Sequence, residues 1–130
     1  MTARLATMLL LLLLLSTAGP GFALAGSAWA NGAVHIKLSQ GRLSRGGTWW
    51  RVDAVVPGPR EAGTLAGRAL SGLGATGAVP GPVGPWHTAV ADGRLLPPAP
   101  WDGPNLQAAA TAAGQGMRLI LGTPLIYGGF

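Results

Sequence analysis

Thr48-Trp49-Trp50-Arg51-Val52-Asp53-Ala54-Val55-Val56 changes side-chain character at almost every step. In an extended chain, Trp50, Val52, Ala54 and Val56 fall on one side, and Trp49, Arg51, Asp53 and Val55 on the other. β-branched and aromatic residues suit a pleated, half-buried surface, so the nonamer reads as a strand with one core face and one mixed face. Just upstream, from Ala33 to Gln40, Val34, Ile36 and Leu38 alternate with His35, Lys37 and Ser39. That segment reads as a second half-buried strand. Arg45-Gly46-Gly47 supplies a turn between the two, and Pro57-Gly58-Pro59 ends the second strand. Residues 34–56 are therefore expected to form an antiparallel hairpin.

Further along, the signals are shorter. Residues 60–73 have Leu65, Ala69 and Leu73 at helical spacing, and Pro59 with Glu61 suits a helix start. Gly63, Gly67 and Gly72 each weaken a helix by about 1 kcal/mol, so a glycine-broken strand pair stays open as the alternative. Residues 77–85 read as a proline- and glycine-rich connector. Trp86–Ala91 reads as a strand, Asp92-Gly93 as a type I′ turn and Arg94–Leu96 as the returning strand. Residues 97–104 read as another Gly/Pro-rich loop. Asp102 is placed to cap a short alanine-rich helix over about 103–113, with Gly114 or Gly116 at its end. Residues 117–122 and 125–127 read as closing strands. The expected fold is mainly β: a small antiparallel sheet or partial sandwich with one short helix in its C-terminal half, preceded by a signal-peptide helix.

That leading helix is read from the N-terminus. Arg4 precedes an apolar run that includes Leu9–Leu15, and Gly19-Pro20-Gly21 interrupts it before small residues continue to Ala30. A basic end, a short apolar core and a small-residue site make a secretory signal, and the core of about 11 residues is well short of the ~20 needed to span a bilayer. Ala23-Leu24-Ala25 and Ala28-Trp29-Ala30 both offer small-x-small cleavage sites. The second is preferred because a polar Asn31-Gly32 start follows it. The expected organisation is thus a signal peptide over 1–30 and a single β-rich domain over 31–130, with Gly/Pro-rich loops at 57–59, 77–85 and 97–104. An uncleaved anchor spanning residues 5–25 is the alternative.

Composition limits the function. The chain has 9 basic and 4 acidic residues, and leaving out Arg4 gives a net charge of about +4. The remaining cations are scattered as Lys37, Arg42, Arg45, Arg51, Arg60, Arg68, Arg94 and Arg118. They form no basic block, and no nucleic-acid partner is expected. Glycine (22) and proline (11) make up about a quarter of the 130 residues, so a compact fold must rest on a few apolar segments. There is no cysteine to staple it.

Motifs with chemistry are sparse. Gly72-Leu73-Gly74-Ala75-Thr76-Gly77 matches the spacing of a dinucleotide fingerprint, but Pro80, Pro82 and Pro85 forbid the helix that would hold the pyrophosphate. No His or acidic pair has a metal-ligand spacing, and no serine sits in a nucleophile-elbow context. No cofactor, metal or catalytic residue is expected. Trp49, Arg51 and Asp53 share one side of the best strand, where an indole beside polar groups can meet a glycan or a protein partner. They are the candidate contact residues. The terminal Tyr127-Gly128-Gly129-Phe130 is expected as an apolar tail docked into the sheet. The overall expectation is a secreted or periplasmic, non-enzymatic binding or accessory module of the cell envelope. Its expected partner is an envelope protein or glycan, with membrane contact only through an uncleaved leader. A membrane-tethered accessory protein and a small secreted enzyme using His35 or His87 are the competing readings.

Overall fold

The computed structural model describes residues 19–130 of the chain. The signal-peptide helix expected over the leucine run lies outside the described residues. Eight elements follow in order: α1 (Pro20–Ala30), β1 (His35–Arg42), β2 (Thr48–Val56), α2 (Ala62–Gly72), β3 (Ala75–Val83), β4 (Trp86–Gly93), β5 (Leu106–Ala113) and β6 (Gly116–Thr123). The six strands form one open antiparallel sheet in the order β1-β2-β6-β5-β4-β3. Both helices lie on the same face. α1 crosses β1, β2 and β6, α2 crosses β3, β4, β5 and β6, and the two helices touch. There is one sheet with a helical layer, so the partial-sandwich alternative gives way to a two-layer arrangement.

The β1–β2 hairpin forms where the alternation placed it, but β1 is not half-buried: as an edge strand it leaves Ile36 and Leu38 exposed, with Val34 just before it. Ile36 faces Ala54, and Leu38 faces Val52. Val52, Ala54 and Val56 are buried beneath the helices, joined there by Leu106, Ala108, Ala110, Met117, Leu119 and Leu121. The turn is closed by hydrogen bonds from Gly46 N to Leu43 O and from Leu43 N to Gly47 O.

Residues 60–73 resolve to the helix alternative. The Glu61 carboxylate caps α2 by accepting from the Gly63 and Thr64 N–H groups. The Thr64 hydroxyl and these amides hold its carboxyl below the usual value. Leu65, Ala66, Ala69 and Leu70 are the residues α2 buries.

Four expectations are corrected. The helix expected over 103–113 is instead strand β5, and Asp102 caps nothing. Alanine favours a helix in isolation, but tertiary position overrides propensity here. β5 is an interior strand lying between α2 and an aromatic cluster, and side chains as small as those of Ala108, Ala109 and Ala110 let both layers approach. The connector expected over 77–85 is edge strand β3, with a register irregularity between Thr76 and Val79. Prolines are tolerated on an edge because the missing N–H faces no ladder partner. Asp92-Gly93 makes no hairpin turn. It ends β4, whose hairpin partner is β3, joined through Gly84 at φ +56°. Arg94–Leu96 therefore does not return as a strand. Finally, residues 125–127 form no strand and lie on the sheet as part of the tail.

The loop from Arg94 to Pro104 is held by Asn105, which sequence reasoning passed over. Its Oδ1 accepts from Gly93 N at 2.7 Å, and its Nδ2 donates to Gly93 O at 3.0 Å and Pro97 O at 2.9 Å. Asn105 is buried, so removing the amide leaves Gly93 polar groups without partners. Asn105→Ala is expected to cost about 1–3 kcal/mol. A urea midpoint unchanged from the parent would show that the loop does not depend on this amide.

Candidate functional site

The helices leave the other face of the sheet to the C-terminal tail. Side chains alternate along each strand, so this face carries Trp49, Arg51, Asp53 and Val55 from β2, Arg118, Ile120 and Gly122 from β6, Gln107 and Ala109 from β5, and Trp86 from β4. Trp86, Ala109 and Ile120 form a small buried cluster, and Ile126 of the tail packs on it.

The three candidate contact residues are brought together. Arg51 and Asp53 form a bidentate pair, Nε to Oδ2 at 2.8 Å and Nη2 to Oδ1 at 2.9 Å. This fork fixes the guanidinium, whose side chain is only 11% exposed. Its remaining nitrogen, Nη1, then donates to Tyr127 O at 2.8 Å and also to Gly129 O. Trp49 stacks on Tyr127, with ring centroids 5.9 Å apart and planes inclined by 21°. A Cβ at Gly41 would collide with the Trp49 ring, so the indole lies over bare backbone. Trp49 is thus half-covered by the tail.

The tail extends the site across the sheet. Gln107 Oε1 accepts from Ile126 N at 2.9 Å. Phe130 lies against Trp86, with centroids 5.3 Å apart, and the Arg118 guanidinium sits 5.2 Å from the Trp86 ring centroid. Arg118 also approaches Asp53, Nη2 to Oδ1 at 3.9 Å. Beside the tail, His35, Lys37, Asp53 and Arg118 line a shallow depression of about 290 Å³. A larger groove of about 710 Å³ lies at the sheet end between Pro57–Arg60 and Ala112–Met117. Its one charged side chain, Arg60, already donates to Asn31 O at 2.9 Å. That groove therefore lacks the convergent polar groups of a binding site.

Among the described residues, the arrangement presents hydrogen-bond donors and aromatic rings. Its donors point at main-chain carbonyls, and its rings accept aromatic side chains. The two histidines do not meet. His35, opposite Val55, and His87, opposite Ala110, project to opposite faces. β1 and β4 also stand four strand positions apart, about 19 Å at ~4.8 Å per strand. Among the described residues, no three His, Cys, Asp or Glu side chains are grouped to hold a metal ion. No helix among them is long and apolar enough to cross a membrane.

Sequence reasoning found Trp49, Arg51 and Asp53 through their shared strand face. It missed Trp86, Gln107 and Arg118: Gln107 lies in the segment read as a helix, and although the strands of Trp86 and Arg118 were read as strands, no local pattern placed them beside β2. The signal that could have linked them was the aromatic pair at the C-terminus, which needs aromatic partners on the sheet.

The fold and this face define a mainly β domain, one open sheet of six antiparallel strands with two helices on one face and a tail strapped across the other. No family model, curated protein or solved structure matches the chain.

Proposed function

We propose that the protein is an exported, non-enzymatic binding module of the cell envelope, and that Trp49, Arg51 and Asp53 form its contact face for a peptide segment of an envelope protein. One observation carries this reading: the face already holds a stretch of main chain, bent at Gly128 and Gly129. Arg51, oriented by Asp53, reaches two main-chain carbonyls of the tail, while Trp49 and Trp86 take its two aromatic side chains. Contacts of this kind recognise a peptide backbone with aromatic anchors, and they do so without a reactive group. The depression beside the tail has more positive than negative side chains, which favours a segment carrying an acidic residue. A partner would displace residues 127–130 and take over their contacts.

The test uses the chain shortened by Tyr127–Phe130, which keeps Ile126 on its cluster, with the peptide Ile-Tyr-Gly-Gly-Phe as probe. Binding is expected, read by tryptophan fluorescence, and Arg51→Met and Trp49→Ala should each weaken it about tenfold or more, on the scale of ~1.4 kcal/mol per decade. Absence of binding, or binding indifferent to both substitutions, overturns the peptide-face reading. If Trp49→Ala unfolds the full chain, the residue is core and the contact assignment fails.

A further inference from the structure

We infer that the secretory signal is cut between Ala18 and Gly19, so that the exported domain comprises residues 19–130 and keeps α1. The inference rests on the export reading and adds the position of the processing site. Both sites considered from the sequence, after Ala25 and after Ala30, fall inside or at the end of α1. That helix belongs to the core. Leu24 and Ala28 are fully buried in the same cluster as Val52 and Leu121. The Ser27 hydroxyl, also buried, donates to Ala69 O in α2 at 2.7 Å. Gly21 lies so close to the Trp50 ring that a Cβ there would come within 2.5 Å of it.

A cut after Ala30 removes every one of these contacts. A cut after Ala25 removes Gly21 and Leu24 and leaves a stub of helix too short to persist. The chain contains a third small-x-small site, Ser16-Thr17-Ala18, directly after the leucine run. A cut there gives a leader of 18 residues, within the ordinary range for such signals. It also leaves α1 whole. Pro20 occupies the start of the helix, where its missing N–H costs nothing, and Gly19 precedes it at φ +59°. Gly19-Pro20-Gly21, which interrupts the apolar run in the sequence, thus supplies the start of α1.

The experiment is to express the full chain in a secretion-competent bacterial host and determine the N-terminus and intact mass of the exported product. The expected N-terminal sequence is Gly-Pro-Gly-Phe-Ala. A product starting at Gly26 or Asn31 overturns the inference while the export reading stands. A chain that stays in the cytoplasm, or is retained whole with Met1, defeats the cleaved-export reading and this inference together. Ala18→Leu should abolish processing and accumulate precursor, whereas Ala30→Leu, at an exposed position, should be processed like the parent. Unchanged processing of Ala18→Leu would also overturn it.

Discussion

A chain that begins at Asn31 is expected to lose cooperative folding, whereas one that begins at Gly19 melts in a single transition. Truncating Leu24 alone to alanine should cost about 3–5 kcal/mol, since the residue is fully buried. Small domains have roughly 5–15 kcal/mol in total. This one has about a quarter of its residues as glycine or proline and no disulfide, which puts it toward the lower end. Removing all of α1 also uncovers the helix side of β2 and β6 and leaves the Ala69 carbonyl without Ser27. Urea titration followed by circular dichroism distinguishes the two chains. Equal cooperativity and equal midpoints would mean that α1 contributes nothing to the core.

Replacing Gly122 with valine is expected to lift the tail from the sheet. A Cβ at this position would come within 2.6 Å of Leu125 O and 2.7 Å of Ile126 Cα. Both are backbone atoms, which cannot rotate aside as a side-chain end could. Valine adds further bulk in the same direction. The contacts from Gln107 to Ile126 and from Arg51 to Tyr127 should be lost together, and Trp49 and Trp86 should become more exposed. The expected signature is a red shift in tryptophan emission with a stability loss of about 1–3 kcal/mol or more. An emission spectrum like the parent's would show that the tail is not held by close approach at this glycine.

The sequence was most legible where period-two alternation was unbroken. β1 and β2 both form where it runs, and the inward and outward sides of β2 are those its pattern implies, whereas the apolar side chains of β1 stay exposed at the sheet edge. β6 was also found, because Met117 to Leu121 is an apolar run of strand length. Elsewhere the same residue types serve two purposes. Alanines at 108–110 read as a helix, yet here they are small side chains in a strand packed on both faces. Prolines 80 and 82 read as a connector, although an edge strand accommodates them. The apolar, small-residue stretch before Asn31 resembles a leader and also makes a helix whose small side chains fit against Trp50 and α2. In each case the deciding factor is what packs on the segment, and local composition does not encode that. The candidate face was legible only in its β2 portion. Its remaining members come from strands brought alongside by the order β1-β2-β6-β5-β4-β3, which no short-range pattern specifies.

That strand order also makes the two borders of the sheet unequal. Among the described residues, neither β1 nor β3 has a strand on its outer side. β3 carries Pro80 and Pro82 and a break in register, so its border is a poor template for another strand. β1 runs from His35 to Arg42 without a proline and pairs with β2 without interruption. The sheet therefore has a direction of growth: a new strand has a continuous template on one side and an interrupted one on the other. Side-by-side stacking of such sheets into a long ribbon would need both borders, and this molecule has only one suited to it.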